Sequence, residues 1–538
     1  MSRSPRGRDR RGRFGAFAIA LSGVALLAVT PSNAGFRDSW AALERELAVF
    51  DPGGRYLTRP IERKVPRLAL NGTYVLSSDV LLSGSDNKGF RDRDYRLLQF
   101  QNLFELEVGY QFSEGLQFSG IFHGLYDAVY SLEGADGLYA PKVDERFRAY
   151  EDSKDVVREL FISYRTLKLD VVLGKQQIAW GKMDGQFIDV INPIDNRESV
   201  QLESSDYERR RIPVWMANVT YYAGPVSLNF LWIPEFEADE NPVYGSPWFS
   251  PLIPPSDDLA RHNEPLLTGL INASGDFINT RSRPDWNDPS DHQLAFRIDW
   301  PVGAWTFGLI YFYAWDKNAS ESITGRFTDA NGTHLLLERR HRRLHQFGFT
   351  SDYSNTLSSV PIIGTLPLVL RVEALLSKDV PFTDFAERGA ALFGGGGDGL
   401  KETDTLRAAV AFEFAFPHNT TLIFQPSFYY TKDWRRSLGG GFGGAVGDAW
   451  ALAPVIFLER PFRFTRDRLT MSATITPYIS QPTRNFQGIK QKYIISYEFS
   501  QYIEGKLVYT DYSGGDSDDL FGQYRSYDNL GIEVQYEF

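Results

Sequence analysis

From about residue 66 onward, apolar and polar residues alternate one by one. The last ten residues show this most clearly. Leu530, Ile532, Val534, Tyr536 and Phe538 alternate with Asn529, Gly531, Glu533, Gln535 and Glu537. Successive side chains of a strand point to opposite faces, so this segment has one apolar, aromatic face and one charged face. Leu294, Phe296, Ile298 and Trp300 likewise alternate with Gln293, Arg297 and Asp299, and Leu368, Leu370 and Val372 with Arg371 and Glu373. Seventeen such segments run from 97–110 to 529–538, among them 334–353 taken as one strand and 450–459 with Pro454 inside it. The segment 66–78 makes eighteen. Ahead of the strands the period changes. Phe36, Trp40, Leu43, Leu47 and Phe50 recur every three or four residues, the spacing of one helix face, and Asp51-Pro52-Gly53-Gly54 ends the run.

The connections are uneven. Gln111–Gly115, Thr166–Lys168, Ala223–Pro225, Pro301–Gly303 and Pro417–Asn419 read as short turns, with long polar stretches between them, notably 179–211 and 234–291. Short turns at one end, long loops at the other and aromatics near strand ends fit an antiparallel transmembrane β-barrel with its apolar face toward lipid. Both chain ends then lie on one side, which requires an even strand number. The expectation is about 18 strands, with 16 as the fallback. The helix is expected either to rest on the periplasmic side or to act as a plug. A terminal strand closing on Phe538, with Tyr536 two residues before it, is suited to the barrel-assembly machinery.

Composition narrows the class. No mature stretch approaches 18 consecutive apolar residues, so a helical membrane protein is excluded. Residues 1–34 read as a signal peptide: six arginines, an apolar run from Phe14 to Val29, and Ser32-Asn33-Ala34 before the cleavage point. Residues 35–65 then hold the helix and a linker, and 66–538 the barrel. Without residues 1–34 the chain carries 51 basic and 67 acidic side chains, a balance of −16. An acidic surface argues against nucleic acid as a partner. Zero cysteines exclude disulfides and thiolate chemistry. Outer-membrane lipid and lipopolysaccharide are the expected surroundings, and the helix at 36–50 is a possible dock for a periplasmic partner.

Enzyme chemistry and cofactors are not expected. His341 and His345 in one strand would lie about 13 Å apart, too far for one metal. Gly394-x-Gly396-x-x-Gly399 and Gly439-x-Gly441-x-x-Gly444 match a dinucleotide fingerprint formally but sit in glycine runs with no following helix.

One stretch is distinctive. Gly174-Lys175-Gln176-Gln177-Ile178-Ala179-Trp180-Gly181-Lys182-Met183-Asp184-Gly185 is followed by Ile191-Asn192-Pro193-Ile194-Asp195 and, later, by Arg211-Ile212-Pro213. It resembles the porin-like outer-membrane barrels known as domain of unknown function 1302, with their G-K-Q-x-x-x-W-G core and I-N-P-x-D segment. Lys182 stands where that pattern often has an acidic residue. The resemblance implies a barrel and an envelope role, and it supplies no substrate. Read physically, Gly174, Gly181 and Gly185 permit an inward bend and Pro193 stiffens the path. Lys175, Lys182, Arg197, Arg209, Arg210 and Arg211 face Asp184, Asp189, Asp195 and Glu198. Two readings stay open for 179–211: a charged constriction folded into the lumen, or a latch in which Trp180 packs and the charges pair. The function expected is a channel for small solutes. The alternatives are an export component for hydrophobic or lipid-like cargo, or a closed structural or binding barrel.

Overall fold

The computed structural model describes residues 33–82, 97–132, 156–183, 187–196, 207–240, 248, 277–329, 332–361, 364–395, 397–439, 448–482, 486–516 and 519–538. Residues 1–32, and with them nearly all of the expected signal peptide, lie outside this set.

The chain forms a closed antiparallel barrel of 18 strands. In chain order the first seven are β1 (Leu68–Leu81), β2 (Leu97–Gln111), β3 (Leu116–Asp127), β4 (Val157–Arg165), β5 (Leu169–Gln176), β6 (Val214–Ala223) and β7 (Val226–Ile233). A short strand, β8 (Phe277–Ser282), stands apart, and β9 (Gln293–Val302) and β10 (Trp305–Trp315) resume the wall. After β11 (Ser320–Asp329) and β12 (Gly332–Arg340), which join β8 in a separate small sheet, come β13 (Arg343–Val360), β14 (Gly364–Thr383) and β15 (Leu400–Phe416). Two wall strands are interrupted by proline. One is β16 (Thr420–Gln425) and β17 (Ser427–Thr431), broken at Pro426, and the other is β18 (Trp450–Leu452) and β19 (Val455–Pro461), broken at Pro454. A proline cannot donate to the ladder, and here the two breaks face each other: the Ala453 amide donates to the Ser427 carbonyl across the gap. The wall ends with β20 (Leu469–Gln481), β21 (Phe486–Glu498), β22 (Ile503–Ser513) and β23 (Asn529–Glu537).

Closure is direct. β23 pairs antiparallel with β1, from Thr73 opposite Glu537 to Leu81 opposite Asn529. The terminal residue completes the seam, since the Gly72 and Phe538 amides each donate to the other's carbonyl at 2.8 Å. Gly72 is required there, because a Cβ on it would lie 2.2 Å from the Phe538 ring. Large apolar side chains look outward all round the wall; Leu173, Phe230, Leu309, Phe347, Leu458 and Ile532 are all exposed. The alternate positions, such as Gln293, Gln346 and Lys490, are buried inside.

The N-terminal helix α1 (Asn33–Ala48) packs Trp40, Leu43 and Leu47 against Tyr497, Phe499, Ile503 and Tyr536. Tyr536 and Val534 share the face of outward Ile532, and Tyr497 that of outward Tyr493 and Ile495. The helix therefore rests on the outer wall at the short-turn end. The plug alternative does not hold, because the aromatic face that α1 needs is on the outside of the seam. Its apolar face is covered by the barrel itself.

One expected segment also differs from the structure. The stretch 334–353 is two strands in different sheets: β12 pairs with β11 and β8, and the chain turns at His341-Arg342 before β13 joins the wall. His341 and His345 consequently share no face. The His341 Nδ1–H donates to the Asp316 carbonyl, whereas His345 is exposed on the outer wall beside Tyr311 and Tyr313. Period two cannot report which sheet a strand joins.

Replacing Gly72 with leucine should disrupt the seam, since overpacking costs about 1–3 kcal/mol or more. The compact, heat-modifiable band of the folded barrel on cold SDS gels should fall sharply. Gly124→Ala, where a Cβ meets nothing within 4 Å, should leave the band intact.

Candidate functional site: the lumen and its inward loop

The chain between β5 and β6 turns into the barrel and lies along its inner wall. Asn192 is its main fastener. The Asn192 Oδ1 accepts the Ile178 amide at 2.7 Å, and its Nδ2 donates to the carbonyls of Ile212 (2.9 Å) and Gln176 (3.4 Å). Pro193 offers its carbonyl to the Ile212 amide at 2.8 Å. Arg211 pairs with the buried Asp189 carboxylate through Nε (2.8 Å) and Nη2 (2.6 Å). Lys175 donates to the Val157 carbonyl at 2.7 Å and is buried. These are closures of a loop upon its own base.

The far part of the loop grips strands further round the wall. The Lys182 amide donates to Glu373 of β14, and its ammonium lies 2.7 Å from Asp352 of β13. The Trp180 carbonyl accepts from Arg297 of β9 at 2.8 Å, and the guanidinium sits 5.9 Å from the Trp180 ring centre. Gly181 allows the loop to fold back on itself, since a Cβ there would be 2.9 Å from that of Asp189. Gly174 does not make the bend. It sits within β5 at φ 141°, where a Cβ would strike the Leu160 carbonyl at 2.2 Å.

Beneath the loop the inner wall is apolar, which the alternation did not lead one to expect. Trp180, Ile188 and Ile191 bury against Val214, Met216, Leu231, Ile233, Ala295, Ile310, Phe312 and Leu375. Further round, Met183 and Phe187 fill a hollow lined by Ala409, Ala411, Tyr429, Ala451 and Ala453, beside the proline breaks. Each large side chain so covered is worth about 1.5–3 kcal/mol relative to facing water. The signal was present in β10, whose sequence WTFGLIYFYAW is apolar on both faces. Such a run marks a strand covered on both sides.

Among the described residues, the sector formed by β1–β3 and β21–β23 is left open. A cavity of about 240 Å³ lies there. From the loop it takes Asp195, Arg209 and Arg210; from the strands it takes Asp79, Lys490, Lys492 and Glu533. Arg209 reaches Gln535 at 3.4 Å, and its carbonyl accepts from Arg158 at 3.0 Å. Arg210 holds the Asp195 carbonyl at 3.0 Å and the Asn196 side chain. At the long-loop end Trp248 covers the cavity among Tyr512, Tyr524 and Tyr527, with ring centres 5.5–6.3 Å apart. Of the residues singled out in and beside 179–211, therefore, Asp195, Arg209 and Arg210 line the opening, while Lys175, Lys182, Asp189 and Arg211 act as fasteners. Asp184, Gly185, Arg197 and Glu198 lie outside the described residues. The four strand residues were missed because, as single polar positions in an alternating wall, they carry no local motif.

Behind the loop is a smaller cavity of about 60 Å³, lined by Asp239, Asp316, Lys317 and Arg407 among others. Burial pushes the Asp316 carboxyl up and the Lys317 ammonium down. Burial also holds His341 down at about 4. Among the described residues no cluster of three or more His, Cys, Asp or Glu is placed to hold a metal.

The family described as protein of unknown function (DUF1302) matches residues 82–538. The chain belongs to that family. The G-K-Q-x-x-x-W-G core of this DUF1302 protein is thus the root of the inward loop. Among solved structures it is similar to Acinetobacter baumannii OccAB3, at 10% identity and TM-score 0.49 over 88% of this chain and 100% of that one. The outer membrane protein opdK from Pseudomonas aeruginosa gives 9% identity and 0.47 over 88% and 98%. A BenF-like porin from Pseudomonas fluorescens Pf-5 gives 8% identity and 0.48 over 88% and 99%. No curated protein matches the chain.

Asn192→Ala should cost about 2–4 kcal/mol, since it leaves buried backbone groups without partners. Hydrogen exchange of residues 178–196 should rise while that of β20–β23 stays low. His341 gives a pH test. Its folded value of about 4 lies below the ordinary 6.5, so its neutral burial stabilises fully above pH 6.5, and the contribution is lost as pH falls from there toward 4. The gap in urea midpoint between the wild type and His341→Asn should therefore narrow between pH 7.5 and pH 5.

Proposed function

We propose that this DUF1302 protein is a porin-like channel for small solutes in the outer membrane of a Gram-negative bacterium. The observation that carries the reading is the uneven lumen: among the described residues, a closed barrel with an apolar exterior is covered on one inner sector by a fastened loop and holds in another a charged cavity of about 240 Å³. A barrel of 16–18 strands is wide enough for an aqueous channel, and closure leaves no unpaired sheet edge to face hydrocarbon. The loop supplies the narrowing. Asp195, Arg209 and Arg210 stand on one side of the opening, with Asp79, Lys490, Lys492 and Glu533 on the other, so passing solutes meet both signs of charge. A passage of this volume, below the roughly 300–1,000 Å³ of drug-sized pockets, suits small molecules. Residues 1–34 would direct export, and the strand ending at Tyr536 and Phe538 would be read by the barrel-assembly machinery.

The mature protein, reconstituted in a planar bilayer, should give discrete current steps. A folded, heat-modifiable barrel that passes no current would overturn the reading in favour of a closed structural barrel. The double variant Arg209→Ala/Arg210→Ala should shift the reversal potential in a potassium chloride gradient toward cations, since two positive charges leave the rim of the opening.

A further inference from the structure

Between α1 and β1 the chain runs outside the barrel at the short-turn end. Asp51 anchors it there: its Oδ1 accepts from the Tyr536 hydroxyl (2.9 Å) and the Gly54 amide (2.9 Å), and its other oxygen pairs with Arg59. Glu62 is turned to the wall, where it accepts the Leu70 amide at 2.8 Å. The only two acids between Asp51 and Leu70 are thereby used internally. What this stretch shows to the outside is of one character. Arg55, Arg59, Arg63, Lys64 and Arg67 are exposed, and so are Tyr56, Leu57, Ile61 and Val65, with Tyr56 63% exposed. Residues 55–67 thus hold five basic groups against one acid, within a chain of net charge −11.

A second basic element lies on the other side of α1. The turn between β19 and β20 exposes Arg463, Arg466 and, at 80%, Phe464, with one exposed acid, Asp467, and its Arg468 reaches Glu44 of α1 at 3.6 Å. Cations interleaved with exposed aromatic and aliphatic side chains, on the outer wall and level with the ends of the strands, are the pattern of a segment lying in a lipid interface. The apolar groups enter the acyl boundary, and the basic groups meet phosphates. Lipid with a net negative headgroup is favoured over neutral lipid there, because each Lys or Arg near an anionic surface adds attraction.

We infer that residues 55–67, together with the 463–468 turn, form a docking surface for anionic phospholipid in the leaflet at the short-turn end. The inference rests on the membrane placement proposed above. It assigns the N-terminal segment a partner other than a periplasmic protein: its inner face is filled by the barrel, and its outer face is matched to lipid.

The absence of cysteine makes a site-specific probe possible. Leu57→Cys, labelled with bimane and reconstituted as the full mature chain, would be exposed to brominated phosphatidylglycerol or brominated phosphatidylcholine diluted into neutral lipid. Quenching by phosphatidylglycerol should exceed that by phosphatidylcholine several-fold. The excess should shrink on adding salt and fall to near parity in Arg55→Gln/Arg63→Gln/Lys64→Gln, whose side chains are exposed and whose barrel should stay heat-modifiable. Equal quenching by both lipids in the unsubstituted background would overturn the headgroup preference while leaving the membrane reading intact. No quenching by either lipid would overturn the docking surface itself, while the bilayer current of the same protein tests the membrane reading separately.

Discussion

A closed sheet leaves no edge of unpaired amides and carbonyls, and that closure, which a backbone in hydrocarbon would require, organises the molecule. It makes the meeting of β1 and β23 the decisive contact. The chain treats that seam with care. Phe538 lies over Gly72, Tyr536 holds Asp51, and the segment that follows α1 covers both. Asp51 and Phe538 are thus fastened to the same place on either side of the joint. The proline breaks show how far the rule can bend. Two adjacent strands lose ladder bonds together, and one bond across the gap partly restores the pairing.

The interior obeys a different balance. A wide barrel has more inner wall than polar residues need to occupy, and one sector of it carries isoleucine, leucine and phenylalanine. Left wet, that sector would be costly. The loop after β5 covers it, and its own polar groups are met by Asn192, Arg211 and Glu373. The open sector lies opposite, where the wall is charged. The distribution of side chains on the inner wall therefore decides where solvent can stand.

Much of this was legible in the residues. Strand number, the unequal ends and the family came from alternation, turn residues and one motif, because each has a local physical cause. The rest depends on position in space. Lys490 or Glu533 is one polar residue in a strand until the barrel curls and brings it toward Arg209. The assignment of 332–340 to a separate sheet turns on which edge is nearest, a matter that period two leaves blank. The two readings of 179–211 were framed as rivals, yet Asp189 and Arg211 fasten while Asp195, Arg209 and Arg210 border the opening, and sequence spacing does not sort neighbours into those roles.

The placement of Met183 and Phe187 has a further consequence. They press into the alanine hollow just where Pro426 and Pro454 interrupt the wall, so the loop buttresses from inside a stretch where the ladder is broken. A loop that also shores up its wall cannot be removed without emptying that hollow, whereas Asp195, Arg209 and Arg210 stand clear of the brace and can change without disturbing it.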